Sequence, residues 1–319
     1  MRTRVRLFFY RILAFTGAGF AKAYVVNNAD TNGDWTDLSL VQSERSTMKV
    51  VIIGCGYVGT AIAQHWREAG ANILATTTRA DRMSELMTVA DRVEVLRGKN
   101  AERLRLALAG RQVAVVCVSP KQPEEYADTY LGTAQTLAQV LPDTGIEQLI
   151  YTSTCSVYGQ HQGAWVTEEM PAMPTTEKGE TIVAAEQALL ATYTPQRQAC
   201  VLRLGGIYGP GRTLEKIYSR LGGTVRPGKG DEGSNWVHLD DIVGAVDWVC
   251  QNRLSGIYNL VQDEVPTVRE LVATVCDRYQ LNPVQWDETQ PSDRPYNVRV
   301  SNAKLKRTGY QFVHPTFEF

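Results

Sequence analysis

Apolar residues recur along the chain in short, nearly continuous runs from Lys49 onward. Runs of this kind, rich in β-branched residues, are typical of strands that are buried on both faces of a sheet. They predict strands at residues 49–53, 72–76, 93–96, 113–118, 148–153 and 199–204.

The segments between these runs place apolar residues at helical spacing instead. They predict helices at residues 57–69, 82–90, 101–108, 124–140 and 181–193. Strands that alternate with helices indicate a parallel sheet whose crossover connections are helical. We therefore expect an α/β fold built on a doubly wound parallel sheet.

After Leu204 the pattern changes to loops rich in glycine and proline, which line binding sites more often than they build cores. A helix is expected to follow with Asp240 as its N-cap, and further elements are predicted at residues 256–260, 267–279 and 302–306. We predict a dinucleotide-binding core over residues 48–206 and a small C-terminal substrate lobe over 207–319. Residues 236–262 are expected to return to the core.

Residues 1–47 differ from the rest of the chain, because Arg2, Arg4 and Arg6 stand among apolar residues and no acid precedes Asp30. Such a composition suits a targeting peptide, but Arg11 interrupts an apolar run that is too short to span a bilayer. The alternatives are a start codon assigned upstream of Met48, a disordered leader, organelle import and a membrane-surface anchor. We expect a cytoplasmic protein.

The charge balance argues against a polyanionic partner. Lysine and arginine number 33 and aspartate and glutamate 34, so no overall field would bind nucleic acid or an anionic membrane. A small-molecule substrate fits this composition better. The six cysteines form no CxxC pair, from which we expect a reducing compartment and no metal.

The strongest local motif is GCGYVG at residues 54–59, between the first predicted strand and the first helix. In this context Gly54 allows a tight turn, Gly56 admits a pyrophosphate and Gly59 permits close packing of helix on strand. The motif predicts a Rossmann-type dinucleotide site. The expected cofactor contacts are Gly54, Gly56, Tyr57, Val58, Gly59, Thr77, Thr78, Arg79, Val118 and Ser119.

The second strand ends without the carboxylate that holds the ribose 2′-hydroxyl of NAD. Thr77, Thr78 and Arg79 stand there instead, and no acid occurs before Asp81. Hydroxyls and a guanidinium suit a 2′-phosphate, so NADP is favoured as cofactor while NAD remains possible. Arg79 and Arg82 could alternatively be ordinary solvated charges.

Four segments together resemble the extended short-chain dehydrogenase/reductases, in the NAD-dependent epimerase/dehydratase branch. The resemblance extends over residues 48–319. Arg203 precedes the IYGPG segment and belongs to the same pattern. The segments are YTSTCSVYG at 151–159, IYGPG at 207–211, WVHLDD at 236–241 and GIYNL at 256–260.

This resemblance implies hydride transfer, with a tyrosine as acid/base, a lysine four residues later that lowers its pKa, and a Ser/Thr that orients the oxygen. The Ser/Thr position falls on Thr154, whereas the tyrosine and lysine positions fall on Lys178 and Ile182. The YxxxK pair is therefore absent from that position. The GxGxxG spacing also departs from the usual GxxGxxG, as in an atypical subgroup. Extended members commonly form dimers, so a homodimer is possible.

The candidate catalytic residues are Thr154, Tyr158 and Lys178. Tyr158 could instead pack at a strand corner, and Lys178 could simply be exposed. Arg212, on the substrate side, and Arg203 could grip a diphosphate, although a structural ion pair also explains Arg203. His238 could act as a base or bond to nearby backbone.

Two functions remain open. The first is an NAD(P)-dependent oxidoreductase or epimerase/dehydratase-like enzyme for a small hydroxylated or nucleotide-sugar-like substrate. The second is a non-catalytic NADP-binding module that reports redox state, in which Cys55, Cys117 and Cys155 could sense oxidation or could be small buried residues. The glycine-rich substrate-side loops favour the enzyme, and the absent YxxxK pair favours the module.

Overall fold

The computed structural model describes residues 47–319, so the leader predicted over residues 1–47 lies outside the described residues, apart from Thr47. The strands are β1 (Lys49–Ile53), β2 (Asn72–Thr77), β3 (Arg92–Val95), β4 (Val113–Val116), β5 (Gln148–Thr154), β6 (Trp165–Val166), β7 (Gln198–Leu204), β8 (Gly206–Tyr208), β9 (Val225–Pro227), β10 (Trp236–His238), β11 (Gly256–Leu260), β12 (Gln285–Asp287) and β13 (Arg299–Val300).

The α-helices alternate with these strands through most of the chain. None of those described is long and apolar enough to cross a membrane. They are α1 (Tyr57–Glu68), α2 (Met83–Leu86), α3 (Ala101–Leu108), α4 (Thr133–Val140), α5 (Glu177–Leu190), α6 (Leu214–Tyr218), α7 (Leu239–Gln251), α8 (Val268–Arg278) and α9 (Ala303–Arg307).

A seven-stranded sheet forms the centre of the molecule, in the order β3-β2-β1-β4-β5-β7-β11. Every neighbouring pair in it is parallel. The order reverses between β1 and β4, where the two halves of a doubly wound sheet meet and leave a crevice at the carboxyl ends of the strands. The predicted Rossmann-type fold is confirmed.

Strand β1 shows why both faces of the sheet are covered. Val50 and Ile52 point to the face on which α1 and α7 pack, whereas Val51 and Ile53 point to the face covered by α3, α4 and α5. All four side chains are buried, and each contributes roughly 1.5–3 kcal/mol by leaving water. This two-sided burial explains the continuous apolar runs of the sequence.

Several predicted boundaries differ from the structure. The helix expected over residues 82–90 is confined to α2, preceded by a 3₁₀ turn at Ala80–Arg82. Strand β4 ends at Val116, so Val118 lies in the following loop. In place of the single helix expected over residues 124–140, the structure has a 3₁₀ turn at Pro123–Glu125, a π-helical turn at Asp128–Gly132 and then α4.

Two helix starts also differ, because side-chain caps decide them. Helix α5 begins at Glu177 rather than at residue 181, since the hydroxyl of Thr176 accepts a hydrogen bond from Gly179 N. Helix α7 is capped by His238, not Asp240: His238 Nδ1 accepts from Asp240 N at 3.2 Å. The interpretation of His238 as a partner of nearby backbone matches this geometry.

The C-terminal part of the chain forms a small lobe and then returns to the core. Two two-stranded parallel sheets, β8 with β10 and β9 with β12, pack against a cluster from α6 and α8. A third, β6 with β13, packs instead in a separate cluster with Cys155 and Tyr158. Strand β11 and α7 belong to the central layers, and so do Leu305 and Tyr310 near the C-terminus.

Candidate cofactor and substrate site

The glycine loop between β1 and α1 has the shape that its motif predicts. Gly54 has φ +87°, and a Cβ there would lie 2.8 Å from the carbonyl oxygen of Cys117. A Cβ on Gly59 would lie 2.8 Å from the carbonyl oxygen of Gly54, whereas one on Gly56 would meet nothing within 4 Å. The loop is therefore closed on its inner side and open at Gly56.

Helix α1 directs its N-terminus out of this loop. Among the described residues no side chain caps it, and its first turn holds no acid. First-turn amides have no partner within a helix, and the helix dipole favours an anion beside them. The start of α1 can therefore receive a phosphate group.

The end of β2 is bound directly to the glycine loop. Thr76 Oγ1 accepts a hydrogen bond from Gly54 N at 3.0 Å, and the carbonyl oxygen of Thr76 accepts from Cys55 N at 2.7 Å. Thr77 is buried and accepts from Arg79 N, whereas Thr78 and Arg79 are exposed. The guanidinium of Arg79 contacts Asp81, so the acid that follows this strand is already paired.

Arg82 reaches back over the glycine loop from the turn after β2. Its guanidinium donates to the carbonyl oxygen of Cys55 at 2.6 Å and to Glu85 Oε2 at 2.9 Å. Because only 18% of its side chain is exposed, Arg82 is not an ordinary solvated charge.

An open cleft of about 250 Å³ runs along the carboxyl ends of β1, β2 and β4. It brings together seven of the expected cofactor contacts, whereas Tyr57, Val58 and Gly59 lie in the first turn of α1, outside its lining. The seven are Gly54, Gly56, Thr77, Thr78, Arg79, Val118 and Ser119.

The cleft is lined by more cations than acids. Besides Arg79 and Arg82, three further cations that the sequence did not single out line it, against two acids, Glu125 and Asp128. Four of the five cations, all but Lys121, form an ion pair with an acid among the described residues. The remaining surplus of positive charge favours an anionic ligand. No local motif marks the three additional cations, which are Arg97, Lys99 and Lys121.

Thr154 lies at the end of β5, half-buried, as the start of a 3₁₀ turn at Cys155–Tyr158. Its hydroxyl donates to Ser156 Oγ at 3.1 Å and accepts from Ser156 N at 3.3 Å. Thr154 therefore stands at the carboxyl edge of the sheet, where ligands of such folds bind, and also holds the turn that follows it.

Tyr158 is not available to a substrate in this structure. Its side chain is fully buried, and its hydroxyl donates to Asn259 Oδ1 at 2.7 Å. The guanidinium of Arg203 lies 4.7 Å from its ring centroid. The packing interpretation of Tyr158 therefore agrees with the geometry, and the catalytic one does not.

Arg203 belongs to the same buried network. It forms an ion pair with Glu186 at 2.7 Å, in which neither side chain is more than 4% exposed. Ser153 donates to the same carboxylate at 2.5 Å. Arg203 therefore joins β7 to α5 and β5 and does not face a diphosphate.

Lys178 stands in the first turn of α5, exposed, while Ile182 is buried one turn later. The Lys178 ammonium lies 5.5 Å from the ring centroid of Tyr126. An apolar, buried side chain at position 182 supplies no positive charge. Whatever proton chemistry occurs here must therefore use groups other than a tyrosine–lysine pair on α5.

Tyr126 and Tyr130 form an aromatic pair with centroids 4.8 Å apart, opposite Lys178. Burial raises the pKa of Tyr126 to about 12 and also raises the pKa of Tyr130. Both hydroxyls therefore keep their protons at neutral pH. Their four-residue spacing in the sequence is a helical signal that our sequence analysis did not use.

A second cavity of about 190 Å³ lies in the C-terminal lobe. Trp286 and Tyr218 give it aromatic walls, and Arg226 and Arg294 give it guanidinium groups. Arg212 lies apart from it on an exposed loop, where its Nε donates to the carbonyl oxygen of Ile207 at 2.9 Å.

Comparison with known proteins places these features in a family. The NAD dependent epimerase/dehydratase family matches residues 50–260. Protein YeeZ of Escherichia coli (strain K12) is 27% identical over 273 residues, which cover 84% of this chain and 96% of YeeZ.

Solved structures give the same result for the fold. A functionally unknown conserved protein from Silicibacter pomeroyi superposes with a TM-score of 0.68 at 26% identity, covering 85% of this chain and 95% of the other. DesIV, a dTDP-glucose 4,6-dehydratase from Streptomyces venezuelae with NAD and TYD bound, superposes with a TM-score of 0.70 at 20% identity, covering 83% and 92%. The family match extends over most of the described residues, and the chain belongs to the NAD dependent epimerase/dehydratase family, which is a family of enzymes.

Proposed function

We propose that this protein is an NADP-dependent oxidoreductase or epimerase-like enzyme that acts on a small hydroxylated or nucleotide-linked substrate. One observation carries the proposal: the open N-terminus of α1 and the Thr77–Arg79 strand end belong to one cleft. The first suits a pyrophosphate and the second suits a ribose 2′-phosphate.

The residues of the cleft fit such a cofactor. Gly56 leaves the loop open where a pyrophosphate would approach, and the amides of α1 would bind it. Thr78 and Arg79 are exposed at the strand end, and Arg82 lies beside the loop, so they present donors rather than a carboxylate. A bound nicotinamide dinucleotide would supply hydride transfer. DesIV holds NAD, and the absence of an acid at residues 77–79 supports NADP here.

Thr154 and Lys178 are the residues that we assign to the substrate. The 3₁₀ turn that Thr154 starts is in contact with α5, and Lys178 stands in the first turn of that helix. The Thr154 hydroxyl would orient a substrate oxygen, and the Lys178 ammonium would hold and donate a proton. The ring of Tyr126 positions that ammonium through a cation–π contact.

The C-terminal cavity suits the remainder of a nucleotide-linked substrate. Trp286 and Tyr218 offer flat apolar surfaces, and Arg294 offers a guanidinium that is in no ion pair among the described residues. An arginine and aromatic walls are a recurrent combination for a base joined to phosphate. Arg212, on the exposed loop after β8, is proposed as a further phosphate contact.

A binding module without turnover is the second candidate. Buried Tyr158 and the replacement of the expected tyrosine by Lys178 favour it, because both leave the cleft without a phenolic proton donor from the positions that the resemblance implies. A homodimer and a cytoplasmic location are further proposals that follow from the resemblance and the composition.

Titration of the tag-free protein with NADPH and NADH, followed by fluorescence, tests the proposal. We expect one site per chain and binding of NADPH at least tenfold tighter than of NADH, a difference of about 1.4 kcal/mol. The same sample is then screened for nicotinamide oxidation with carbonyl and nucleotide-sugar substrates. Binding without turnover would favour the module, and failure to bind either cofactor would refute both candidates.

A further inference from the structure

The C-terminal tail is fastened onto the start of α7. The carboxylate of Asp241 accepts hydrogen bonds from Val313 N at 2.7 Å and from His314 N at 3.0 Å, and the hydroxyl of Tyr310 donates to the carbonyl oxygen of Asp241 at 2.8 Å. These contacts bring two histidines together. The rings of His238 and His314 have centroids 3.8 Å apart.

One carboxylate stands beside both imidazoles. Asp240 Oδ2 lies 3.3 Å from His314 Nε2 and 3.5 Å from His238 Nδ1. The other nitrogen of each ring therefore remains for a different partner. His238 Nε2 has no hydrogen-bond partner among the described residues, and it faces the backbone of Gly209, where a Cβ would lie 3.2 Å away.

His314 Nδ1 is the second nitrogen without a satisfactory partner. The residue is 9% exposed, and this atom is buried without a hydrogen bond within residues 47–319. Glu318 Oε1 lies 2.9 Å from it, but the direction of approach does not make a hydrogen bond. A buried imidazole nitrogen is normally hydrogen-bonded, so this exception beside a carboxylate requires an explanation, and a bound ligand would provide one.

We propose that His238, His314 and Glu318 form a binding site for a divalent transition metal of the zinc class. One ring nitrogen of each histidine and a carboxylate oxygen of Glu318 all lie within 4.8 Å of one another. Two imidazoles and a carboxylate are a ligand set that zinc uses, whereas magnesium and calcium prefer oxygen ligands alone.

The neighbouring groups suit that assignment. Zinc binds imidazole at about 2.0–2.1 Å, so the three ligands must close around it. Glu318 can make that adjustment, since its side chain is 66% exposed. Asp240 Oδ2 would accept the N–H of His314 Nε2, and such an outer carboxylate fixes the ring orientation. His238 Nδ1 accepts from Asp240 N in this structure, so coordination through Nε2 would transfer the ring proton to Nδ1, which would then face Asp240 Oδ2 at 3.5 Å.

The charges around the site also allow a cation. The N-terminus of α7 carries partial positive charge, but Asp240 and Asp241 stand in its first turn and oppose it. Bound metal would hold the tail to α7, beside the loop that Tyr57 contacts through Pro210.

No short motif indicates this site, because His314 and Glu318 in the tail are far in sequence from His238, which precedes α7. The expectation that the protein binds no metal was based on the spacing of the cysteines alone. The proposed site is independent of the proposed reaction and can be tested without a cofactor or a substrate.

Calorimetric titration of the tag-free, chelator-treated full chain with Zn²⁺ tests the proposal. We expect one ion per chain, a higher melting temperature with Zn²⁺ and no competition from excess Mg²⁺. Glu318→Gln and His314→Gln should each weaken binding at least tenfold, and Asp240→Asn by roughly 10–100-fold. The matched control is His65→Gln, since His65 is exposed and contacts Asp247. The affinity of this variant for Zn²⁺ should equal that of the unaltered chain.

Glu318→Gln keeps the test decisive, because an exposed residue at the end of the tail can change without unfolding the protein. Circular dichroism verifies the fold of each variant. Absence of stoichiometric Zn²⁺ binding would overturn the proposal. Equal affinity in Glu318→Gln and the unaltered chain would overturn it as well, as would a loss of binding in His65→Gln.

Discussion

The guanidinium of Arg82 donates a 2.6 Å hydrogen bond to the carbonyl oxygen of Cys55, in the middle of the glycine loop. Glu85 holds the other edge of the same guanidinium, so the side chain is fixed over the loop from two directions. Arg82 therefore supports the loop where a pyrophosphate would bind, together with the hydrogen bonds that the loop donates to Thr76, and its charge is paired with Glu85. Because Arg82 and Cys55 are distant in sequence, no motif reveals this contact.

Replacement of Arg82 by glutamine should weaken the binding of NADPH and NADH to the same extent. The substitution removes a charged hydrogen bond to the loop and a positive charge beside the phosphates, and we expect about a tenfold loss for each cofactor. Fluorescence titration of both cofactors measures it. A loss confined to NADPH would mean that Arg82 contacts the 2′-phosphate instead of ordering the loop.

Replacement of Arg79 by glutamine should affect NADPH alone. The Arg79 guanidinium is exposed at the end of β2, where a 2′-phosphate would lie, and its loss removes a contact that NADH does not make. We expect roughly tenfold weaker NADPH binding with unchanged NADH binding. Arg269→Gln is the matched control, since Arg269 is a comparably exposed arginine paired with Glu288 in the C-terminal lobe. Unchanged selectivity in Arg79→Gln would contradict the NADP assignment.

Periodicity was sufficient to predict the central sheet. Six of its seven strands follow from continuous apolar runs, because a strand buried on both faces, such as β1, has almost no polar position. Helix ends were predicted less well, since they depend on individual side chains. Thr176 starts α5 early, and the imidazole of His238 replaces Asp240 as the cap of α7.

The candidate site was only partly accessible from the sequence. The glycine motif and the Thr77–Arg79 strand end follow from local spacing, and the structure brings them to one cleft. Tyr158 could not be assigned from its motif. Whether its hydroxyl faces a substrate or Asn259 depends on a contact between residues that are far apart in the chain. The contact between His238 and His314 likewise joins residues that are far apart in the chain, so no local pattern predicts it.

Tyr158→Phe should lower stability and leave turnover nearly unchanged. It deletes the hydrogen bond to Asn259 Oδ1, leaves that buried oxygen unpaired and keeps the ring beneath Arg203. The expected cost is about 1–3 kcal/mol in the free energy of unfolding, measured by urea denaturation. A catalytic Tyr158 would instead lower kcat by roughly 10²–10⁴-fold without this destabilisation, and that result would reverse our interpretation.

Two buried cysteines, Cys55 in the lining of the cleft and Cys155 in the cluster around Tyr158, should resist alkylation in the folded protein. Burial raises the pKa of Cys55 to about 11 and that of Cys155 to about 12, so the reactive thiolate is scarce. At pH 8 a thiol with the pKa of Cys55 is ionised in only about one molecule in a thousand. Mass spectrometry after iodoacetamide treatment should find both residues unmodified until urea unfolds the chain. Rapid labelling of the native protein would revive the redox-sensing hypothesis.

Lys178→Met provides the sharpest separation of the two proposed functions. If the Lys178 ammonium donates the proton, methionine removes the donor while keeping most of the volume of the side chain, so kcat should fall by roughly 10²–10⁴-fold. NADPH affinity should stay the same, because Lys178 lies over Tyr126 and outside the lining of the cofactor cleft. Glu180→Gln, an exposed change in the same turn of α5, serves as the control for effects on the helix start. Unaltered kcat in Lys178→Met, with Glu180→Gln also unaltered, would remove Lys178 from the mechanism. The protonated hydroxyls of Tyr126 and Tyr130 would then be the next donors to replace, each by phenylalanine.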